Sequence, residues 1–482
     1  MLPQDVLIEI FDWYLGEDQD DFEVDAWYPL VHVCRSWRNI IFSAPHRLNL
    51  RLLYTAKDGK PACEMLGVWP SFPIILQVTS KRPWIVENVT DALKYKDRIR
   101  KIQLVDIYQE QLKDIFLAMQ EPFPALTDLL LTSSMEDEAP DSLLGGFAPR
   151  LRSLKLDSIS YPGLSKLVSS SARDLVELSL LDVPSCGVIS PKTMVTVLSA
   201  LTRLETLSLS FEIDDDDPDS TLLLDCSTER NPISPIRSVL PSLKFYLFRG
   251  ICGYLEDFVA MIDAPRLEIL DITLALCGDD SDPLDDLKSK ETPQFNHFLC
   301  RTEMFNTLNN ASIHLWHDKL EMTLSRKPWA CNANLTLRVM CQKNIHTLGR
   351  VCVTQFLPLS KIESLGISSQ YHKWQSHREA NTATEDIQWR FSLPYFSAVK
   401  SLYLSKEIVP SIACGLEQVL DSNGGRSQVL RSLQKLSTVK PLPSGSVKTV
   451  IEKFAAMRGL SAMDPPTLPF SWVATERNTS NL

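Results

Sequence analysis

The residues closest to a metal-binding pattern are two histidines and an aspartate late in the chain. His314, His317 and Asp318 lie in the stretch SIHLWHD, and on a helix the i, i+3 spacing would place both imidazoles on one face, as a zinc site needs. The stretch alternates like a strand, however, and strand residues three apart face opposite sides of a sheet. His297 with Cys300 is a single pair without further ligands in sequence. The sequence favours isolated histidines beside core elements over a zinc site.

Patterns for catalysis or cofactor binding are absent from the sequence. The tract DDDD at 214–217 lacks the spaced ligands, turn glycine and terminal glutamate of an EF-hand loop, and favours a solvated acidic loop. There is no G-x-x-x-x-G-K-[ST] loop, no G-x-G-x-x-G after a strand and no G-x-S-x-G turn. We therefore expect no enzymatic activity, no metal and no cofactor.

Composition limits the classes of partner. With 49 Lys and Arg against 60 Asp and Glu, the net charge of −11 argues against general binding to nucleic acid or to an anionic membrane. No stretch approaches the roughly 20 apolar residues of a membrane helix, and the start MLPQDVLIEIF has acidic residues where a signal peptide is apolar. The 11 cysteines include no C-x-x-C pair, which is typical of a reducing compartment. We expect a cytoplasmic or nuclear protein.

Short leucine-patterned runs recur from residue 99 onwards. Eight of them have apolar residues at their first, fourth and sixth positions, whereas LKFYLFR and LQKLSTV match this pattern more weakly, and the first five begin 27, 25, 24 and 29 residues apart. Because the fourth and sixth positions point to one side of a strand, stacked repeats would share one Leu/Ile core, as in a leucine-rich-repeat solenoid. The runs are IRKIQLV (99–105), LTDLLLT (126–132), LRSLKLD (151–157), LVELSLL (175–181), LETLSLS (204–210), LKFYLFR (243–249), LEILDIT (267–273), IESLGIS (362–368), VKSLYLS (399–405) and LQKLSTV (433–439).

Helical patterns lie between the runs. YQEQLKDIFLAMQ (108–120), SPKTMVTVLSAL (190–201) and GYLEDFVAMIDAP (253–265) place apolar residues at helical spacing. Strand–helix alternation predicts an α/β fold: a curved parallel sheet with right-handed crossovers and outer helices. The repeats are irregular, and NNASIHLWHD (309–318) and NLTLRV (334–339) are candidate degenerate repeats within a gap of 95 residues between run starts.

Two helical segments precede the repeats. The first is predicted from Gln4 to about Leu15, and the second begins at Trp27 and ends near Pro45. The acidic stretch 16–25 between them is expected to be a solvated loop. Two or three short helices bury too little surface to be stable alone, so their apolar faces must pack against something else.

These observations predict the division of the chain. It comprises a helical domain at 1–52, a connecting segment at 53–98, an irregular solenoid with a C-terminal capping helix at 99–461, and a flexible tail at 462–482.

The N-terminal segments also carry a known pattern. LPQDVLIEIFDWYL followed by LVHVCRSWRNIIFSAPHRL resembles the F-box, in the form found in the large F-box families of mushroom-type (basidiomycete) fungi. Members of this family dock the F-box onto a Skp-type adaptor, which links them to a cullin-based ubiquitin ligase, and hold a protein substrate with their C-terminal repeats. The resemblance implies a substrate-recognition subunit of such a ligase.

The resemblance places an adaptor-binding surface on the motif. Its residues are Leu2, Pro3, Val6, Leu7, Ile10, Phe11, Leu30, Cys34 and Trp37. Leu30 and Cys34 are expected to face outward. Trp37 could contact the adaptor or lock the two helices together, and it is expected to do the latter with Ile40 and Ile41. A competing interpretation of these helices is a cap that seals the first repeat.

A protein substrate is expected on the sheet face opposite the core, to which the odd positions of the runs point. The candidate residues are Lys101, Gln103, Asp128, Lys155, Asp157, Glu177, Asp271 and Tyr403. An ordinary solvated sheet face is the competing interpretation. The competing function is a leucine-rich-repeat scaffold or sensor unconnected to ubiquitin.

Overall fold

The structure is a computed structural model of an α/β protein in two compact units, Met1–Glu212 and Ile213–Leu482. Each unit combines a sheet of mostly parallel strands with helices. The described residues are 2–15, 27–45, 47–55, 61–67, 69, 72–79, 85–212, 237–275, 293–316, 319–327, 333–340, 359–369, 393–405, 407–422, 430–438, 446–457 and 460.

The first unit begins with three helices and continues as a parallel sheet. Its helices are α1 (Gln4–Leu15), α2 (Tyr28–Val33), α3 (Arg35–Ser43), α4 (Ala62–Leu66), α5 (Ile85–Leu93), α6 (Gln109–Ala118), α7 (Leu164–Ser170) and α8 (Pro191–Ser199). Its strands are β1 (Leu52–Tyr54), β2 (Ile74–Thr79), β3 (Ile99–Ile107), β4 (Asp128–Glu138), β5 (Ser153–Ser160), β6 (Glu177–Val183) and β7 (Thr206–Phe211). The strands pair in chain order, each parallel to the next.

The leucine-patterned runs of this unit form strands β3 to β7, as predicted. Leucines at the fourth position of the runs are in register across neighbouring strands, and those at the sixth position form a second row. The rows are Leu129, Leu154, Leu178 and Leu207, and Leu131, Leu156, Leu180 and Leu209. All of these side chains are buried. Each contributes about 1.5–3 kcal/mol of hydrophobic stabilisation, so the rows hold successive strands in one core.

Helices cover the core between the strands. The predicted helical stretches 108–120 and 190–201 form α6 and α8, and α6 buries Leu112, Ile115 and Phe116. Helix α5 packs against both α4 and α6, and α7 packs against α8. The helices therefore form a layer that follows the order of the strands.

The sheet begins earlier in the chain than the sequence predicts. Strand β1 pairs with β2, and β2 pairs with β3, so the segment 53–98 contributes strands rather than only a connection. Most of β2 is buried on both faces. A strand that is buried on both faces has a nearly continuous apolar sequence, here IILQVT, and not the spaced leucines by which the later strands are recognised.

The second unit contains the remaining helices and strands of the described part of the chain. Its helices are α9 (Cys252–Ala260), α10 (Pro293–Arg301), α11 (Val409–Ser422) and α12 (Ser446–Met457). Its strands are β8 (Ser238–Val239), β9 (Phe245–Gly250), β10 (Ile262–Asp263), β11 (Ile269–Ala275), β12 (Asn310–Leu315), β13 (Lys319–Ser325), β14 (Leu335–Met340), β15 (Ser364–Ser369), β16 (Ser401–Leu404) and β17 (Lys435–Thr438). Strands β8 and β10 form a separate short parallel pair. The others follow the order β9-β11-β14-β13-β12-β15-β16-β17.

The prediction of an all-parallel sheet is wrong at β13. The candidate degenerate repeats at 309–318 and 334–339 do form strands, β12 and β14, but β13 lies between them and is antiparallel to both. Only residues 316–318 separate β12 from β13, which is too few for the crossover that parallel neighbours need. The chain therefore reaches β12 first and returns through β13 to β14, which pairs with β11.

The predicted C-terminal helix is present as α12. It buries Ile451 and Phe454 and packs against α11, the helix before the last strand. The acidic stretches 16–25 and 214–217 and the tail 462–482 lie outside the described residues. None of the helices in the described part of the chain has the length and apolar character that crossing a bilayer requires.

Candidate functional site

Helix α1 is held to α3 by one of its sides. The Phe11 and Trp37 rings pack edge to face, with their centroids 4.8 Å apart. Phe11 is 1% exposed, and Ile8 and Leu15 are buried on the same side of α1. Glu9 also forms an ion pair with Arg47, although both side chains are largely exposed. The inner side of α1 therefore belongs to the core of the N-terminal helices.

The second predicted helix is two helices, because the chain is extended at Cys34. The residue has φ −160° and ψ 167°, and its Sγ accepts a hydrogen bond from the Trp37 backbone N–H at 3.4 Å. Cys34 thus ends α2 and serves as the N-cap of α3. The Arg38 Nε donates to the Val31 carbonyl at 3.0 Å, which ties α3 back to α2.

Trp27 joins these helices to the start of the sheet. Its side chain is 1% exposed and its Nε1–H donates to the Arg51 carbonyl at 2.9 Å, immediately before β1. Edge-to-face contacts surround the indole, with centroids 5.4 Å from Trp69, 5.6 Å from Phe72 and 6.5 Å from Phe42. One side of the helical group therefore packs against the residues that begin the sheet.

The other side of α1 is apolar and exposed. We call Leu2, Val6, Ile10 and Trp13 the outer stripe, since their spacing places them on one side of the helical path. Their exposed fractions are 56%, 41%, 43% and 86%. Tyr14 beside the stripe is 55% exposed. Helix α1 thus has two apolar sides, and among the described residues the core of the helical group covers the inner one.

The predicted adaptor-binding residues fall into three groups. Leu2, Pro3, Val6, Ile10 and Cys34 are exposed, Leu7 and Trp37 are half-buried, and Phe11 and Leu30 are buried. The expectation that Leu30 faces outward is wrong, because Leu30 is 7% exposed and lies in the core of the helical group. Phe11 likewise packs on Trp37 and is not available to a partner.

Sequence reasoning missed part of the exposed surface. Trp13, Tyr14 and Val33 are strongly exposed but were not assigned to the adaptor-binding surface. A helical projection would have found Trp13, because it follows Val6 and Ile10 on the same side of α1.

The predicted substrate-binding residues all lie half-buried, in each unit on the side of the sheet opposite that unit's core. Lys101 and Asp128 are cross-strand neighbours of β3 and β4. Glu177 on β6 pairs with Lys155 of β5 at 2.7 Å and accepts a hydrogen bond from Ser153 Oγ at 2.9 Å. The face of the first unit is therefore a lattice of cross-strand polar contacts. Gln103 belongs to this face, whereas Asp271 and Tyr403 belong to the second unit.

The carboxyl ends of the strands in the first unit are acidic. Burial, and then the charges of Asp182 and Asp106, raise the pKa of Asp157, while a hydrogen bond from Ser158 opposes the shift. Asp106, Ser158 and Asp182 all have positive φ, at 58°, 57° and 43°. Each lies two residues after the leucine at the sixth position of its run. The pairing of β3, β5 and β6 with a neighbouring strand therefore shifts register at equivalent points.

A charged cluster crosses three strands of the second unit. Arg338 of β14 donates from Nη1 to Asp271 of β11 at 2.6 Å and from Nε to Glu321 of β13 at 3.0 Å. Burial lowers the pKa of Arg338, but the hydrogen bonds and charges of the two carboxylates outweigh it and raise the pKa overall. We call Asp271, Arg338 and Glu321 the charged triad.

His314 lies beside the charged triad on the same face of the sheet. Its Nδ1 is 2.5 Å from Ser368 Oγ on β15, and its Nε2 is 3.2 Å from Ser312 Oγ. Burial lowers the pKa of His314, and the charge of Glu321 partly opposes that shift. His314 is therefore part of a polar network, which differs from the prediction of an isolated histidine.

The other candidate metal ligands do not belong to the polar network of His314. His297 and Cys300 are exposed on α10, and His317 and Asp318 lie outside the described residues. Within the described part of the chain, no three His, Cys, Asp or Glu side chains are placed to hold a metal ion.

Comparison with known proteins gives no match, either to a family model or to a curated protein.

Proposed function

We propose that the chain is a substrate-recognition subunit of a Skp–cullin–F-box type ubiquitin ligase. The N-terminal helices dock a Skp-type adaptor through the outer stripe of α1, and the polar face of the leucine-patterned sheet binds a protein substrate. The role is binding rather than catalysis. The resemblance of residues 2–48 to the F-box supplies the identity of the adaptor.

The observation that carries the proposal is the second apolar side of α1. Large apolar side chains gain about 1.5–3 kcal/mol each when buried, so four of them on one stripe can offset the ordering costs of docking a partner. A tryptophan that is 86% exposed is also the type of residue that dominates interfaces when a partner covers it. Helix-in-groove recognition uses residues at this spacing.

A cap alone explains less of the structure. The contacts of Trp27 with Trp69 and Phe72 place the helical group against the start of the sheet, where a cap would also lie. A terminal cap needs a polar outer side, however, and the outer stripe is apolar. If the helices were only a cap, the chain would be a scaffold or sensor without an adaptor, which is the second candidate function. That function gives the outer stripe no partner.

The anchoring of the N-terminal helices to the sheet also suits a ligase subunit. Because Trp27 is fixed to the backbone of Arg51 and to the aromatic rings before β2, the helices that would bind the adaptor are anchored to the first strands. A substrate held on those strands would then lie at a defined position relative to the adaptor.

The test is the affinity of the full-length chain for a purified Skp-type adaptor, measured by calorimetry. We expect Val6→Asp with Ile10→Asp to weaken binding at least about tenfold, because two carboxylates would be buried without partners. Both residues are exposed, so the melting temperature should stay close to that of the unmodified chain.

The matched control is Leu117→Asp with Met135→Asp, which changes two exposed apolar residues of the first unit away from α1. It should leave adaptor binding unchanged. Failure of the unmodified chain to bind, or equal binding by the α1 variant, would remove the basis of the ligase proposal and favour the scaffold.

A further inference from the structure

His314 faces charged and polar side chains on both neighbouring strands. Glu321 of β13 is its direct antiparallel neighbour, and Ser368 of β15 is its direct parallel neighbour. Side chains directly opposite on antiparallel strands have Cβ atoms about 4.5–5.5 Å apart, so the Glu321 carboxylate is within reach of the imidazole. On β12 itself, Ser312 lies on the same face, and the ring centroid of Trp316, the residue that follows β12, is 5.7 Å from that of His314.

The hydrogen bonds around His314 fit a neutral imidazole and can adapt to a charged one. A neutral ring has one donor and one acceptor nitrogen, so one of Ser312 and Ser368 donates to it and the other accepts. Ser312 Oγ also lies 2.7 Å from Thr323 Oγ1. Because hydroxyl groups rotate, both serines can accept from an imidazolium once Ser312 donates to Thr323 instead.

The charged triad has an excess of one negative charge. Two carboxylates, Asp271 and Glu321, share the single guanidinium of Arg338. The nearest further cation on the same face of β13 is Lys319, and its Nζ lies 4.4 Å from the Trp316 ring centroid, where the ring faces the charge. A proton on His314 would place a second cation beside Glu321.

We propose that His314 is a pH-sensitive switch of this sheet face. Its protonation pairs the imidazolium with Glu321 and leaves Arg338 paired with Asp271, so that a triad with one net negative charge becomes two ion pairs. The imidazolium takes its proton from solvent, and no covalent bond changes. A protein bound to this face would therefore meet a different charge pattern in neutral and in mildly acidic solution.

The direction in which the pKa of His314 is shifted fits a switch that responds to mild acid. Burial keeps the imidazole neutral in neutral solution, so the charged form is reached only when the pH falls below the usual range for histidine. Because the unfolded chain binds that proton at higher pH than the folded chain, stability should fall as the pH drops through the interval between the two pKa values.

The test is a pH titration of the full-length chain with carbon-13-labelled histidine, followed by NMR, with His314→Gln used to assign the His314 resonance. We expect Glu321→Gln to lower the pKa of His314 by roughly one pH unit, since it removes the carboxylate that stabilises the imidazolium. We expect Arg338→Met to raise that pKa by a similar amount, since Glu321 then loses its competing partner.

His297 provides the control within the same spectra. It is exposed on α10 in the same unit, and at any one pH its ring resonance should have the same chemical shift in every variant. Should Arg338→Met fail to fold, Arg338→Lys keeps the charge but loses the two-pronged hydrogen bonding, and should shift the His314 titration upward by less. A His314 titration that does not respond to Glu321→Gln, or that moves in the same direction in the Glu321 and Arg338 variants, would overturn the switch.

Discussion

Replacing Trp27 by alanine should lower the free energy of unfolding of the unit Met1–Glu212 by about 3–5 kcal/mol. The indole is the largest fully buried side chain of the helical group and fills the space between α3 and the residues before β2. Alanine would leave a cavity among Phe42, Trp69 and Phe72 that these large rings cannot close without moving. The Arg51 carbonyl would also lose the indole N–H that it accepts at 2.9 Å.

The measurement is chemical denaturation of the full chain followed by tryptophan fluorescence and circular dichroism. Trp13→Ala is the matched control, because it removes the same type of side chain from a position that is 86% exposed, only a short distance away in the chain. It should change stability by no more than about 0.5 kcal/mol. Equal effects of the two substitutions would contradict the anchoring of the helices to the sheet by Trp27.

The strands were predictable because their signal is local. In the runs at 126–132, 151–157, 175–181 and 204–210, leucines two residues apart must lie on one side of a strand, and the repeat length brings them into register. The helical stretch 108–120 was predictable for the same reason, since its apolar residues recur at helical spacing.

Pairing direction was not predictable, because it is not a local property. The stretches NNASIHLWHD and NLTLRV alternate like any strand, and nothing in them shows that β13 will lie between them. The only sequence signal is the short separation of β12 from β13, which becomes informative once both strands are known. The surroundings of His314 could not be foreseen for this reason, since Glu321 and Ser368 reach it only through the pairing of β12.

The orientation of α1 escaped prediction for a different reason. Its sequence is apolar on two sides, so periodicity alone cannot decide which side enters the core. The structure places Phe11 inward and Ile10 outward, although both match the F-box pattern. The buried Leu30 was similarly ambiguous, because the break at Cys34 turns one expected helix into two with separate orientations.

Phe11 and Ile10 therefore provide a test that separates the folding of α1 from its docking. We expect Phe11→Ala to cost about 3–5 kcal/mol of the free energy that holds α1 on α3, since it removes the ring that packs on Trp37. The backbone amides of α1 should then exchange with deuterated solvent at least about a hundredfold faster, or as fast as in a free peptide. Ile10→Ala should leave their exchange unchanged, because Ile10 is 43% exposed.

Adaptor binding should respond to the two substitutions for different reasons. Ile10→Ala removes a contact that the proposed interface makes directly. The free energy of adaptor binding should therefore become less favourable by about 1–2 kcal/mol, while the amides of α1 stay fully protected from exchange. Phe11→Ala removes no contact, but the apparent affinity should fall in proportion to the fraction of molecules in which α1 remains docked on α3. Raising the adaptor concentration should restore the exchange protection of α1 in the Phe11 variant, because binding selects the docked helix. If Phe11→Ala weakened binding without faster exchange in α1, Phe11 would have to contact the adaptor itself, and the inward placement that defines the outer stripe would be wrong.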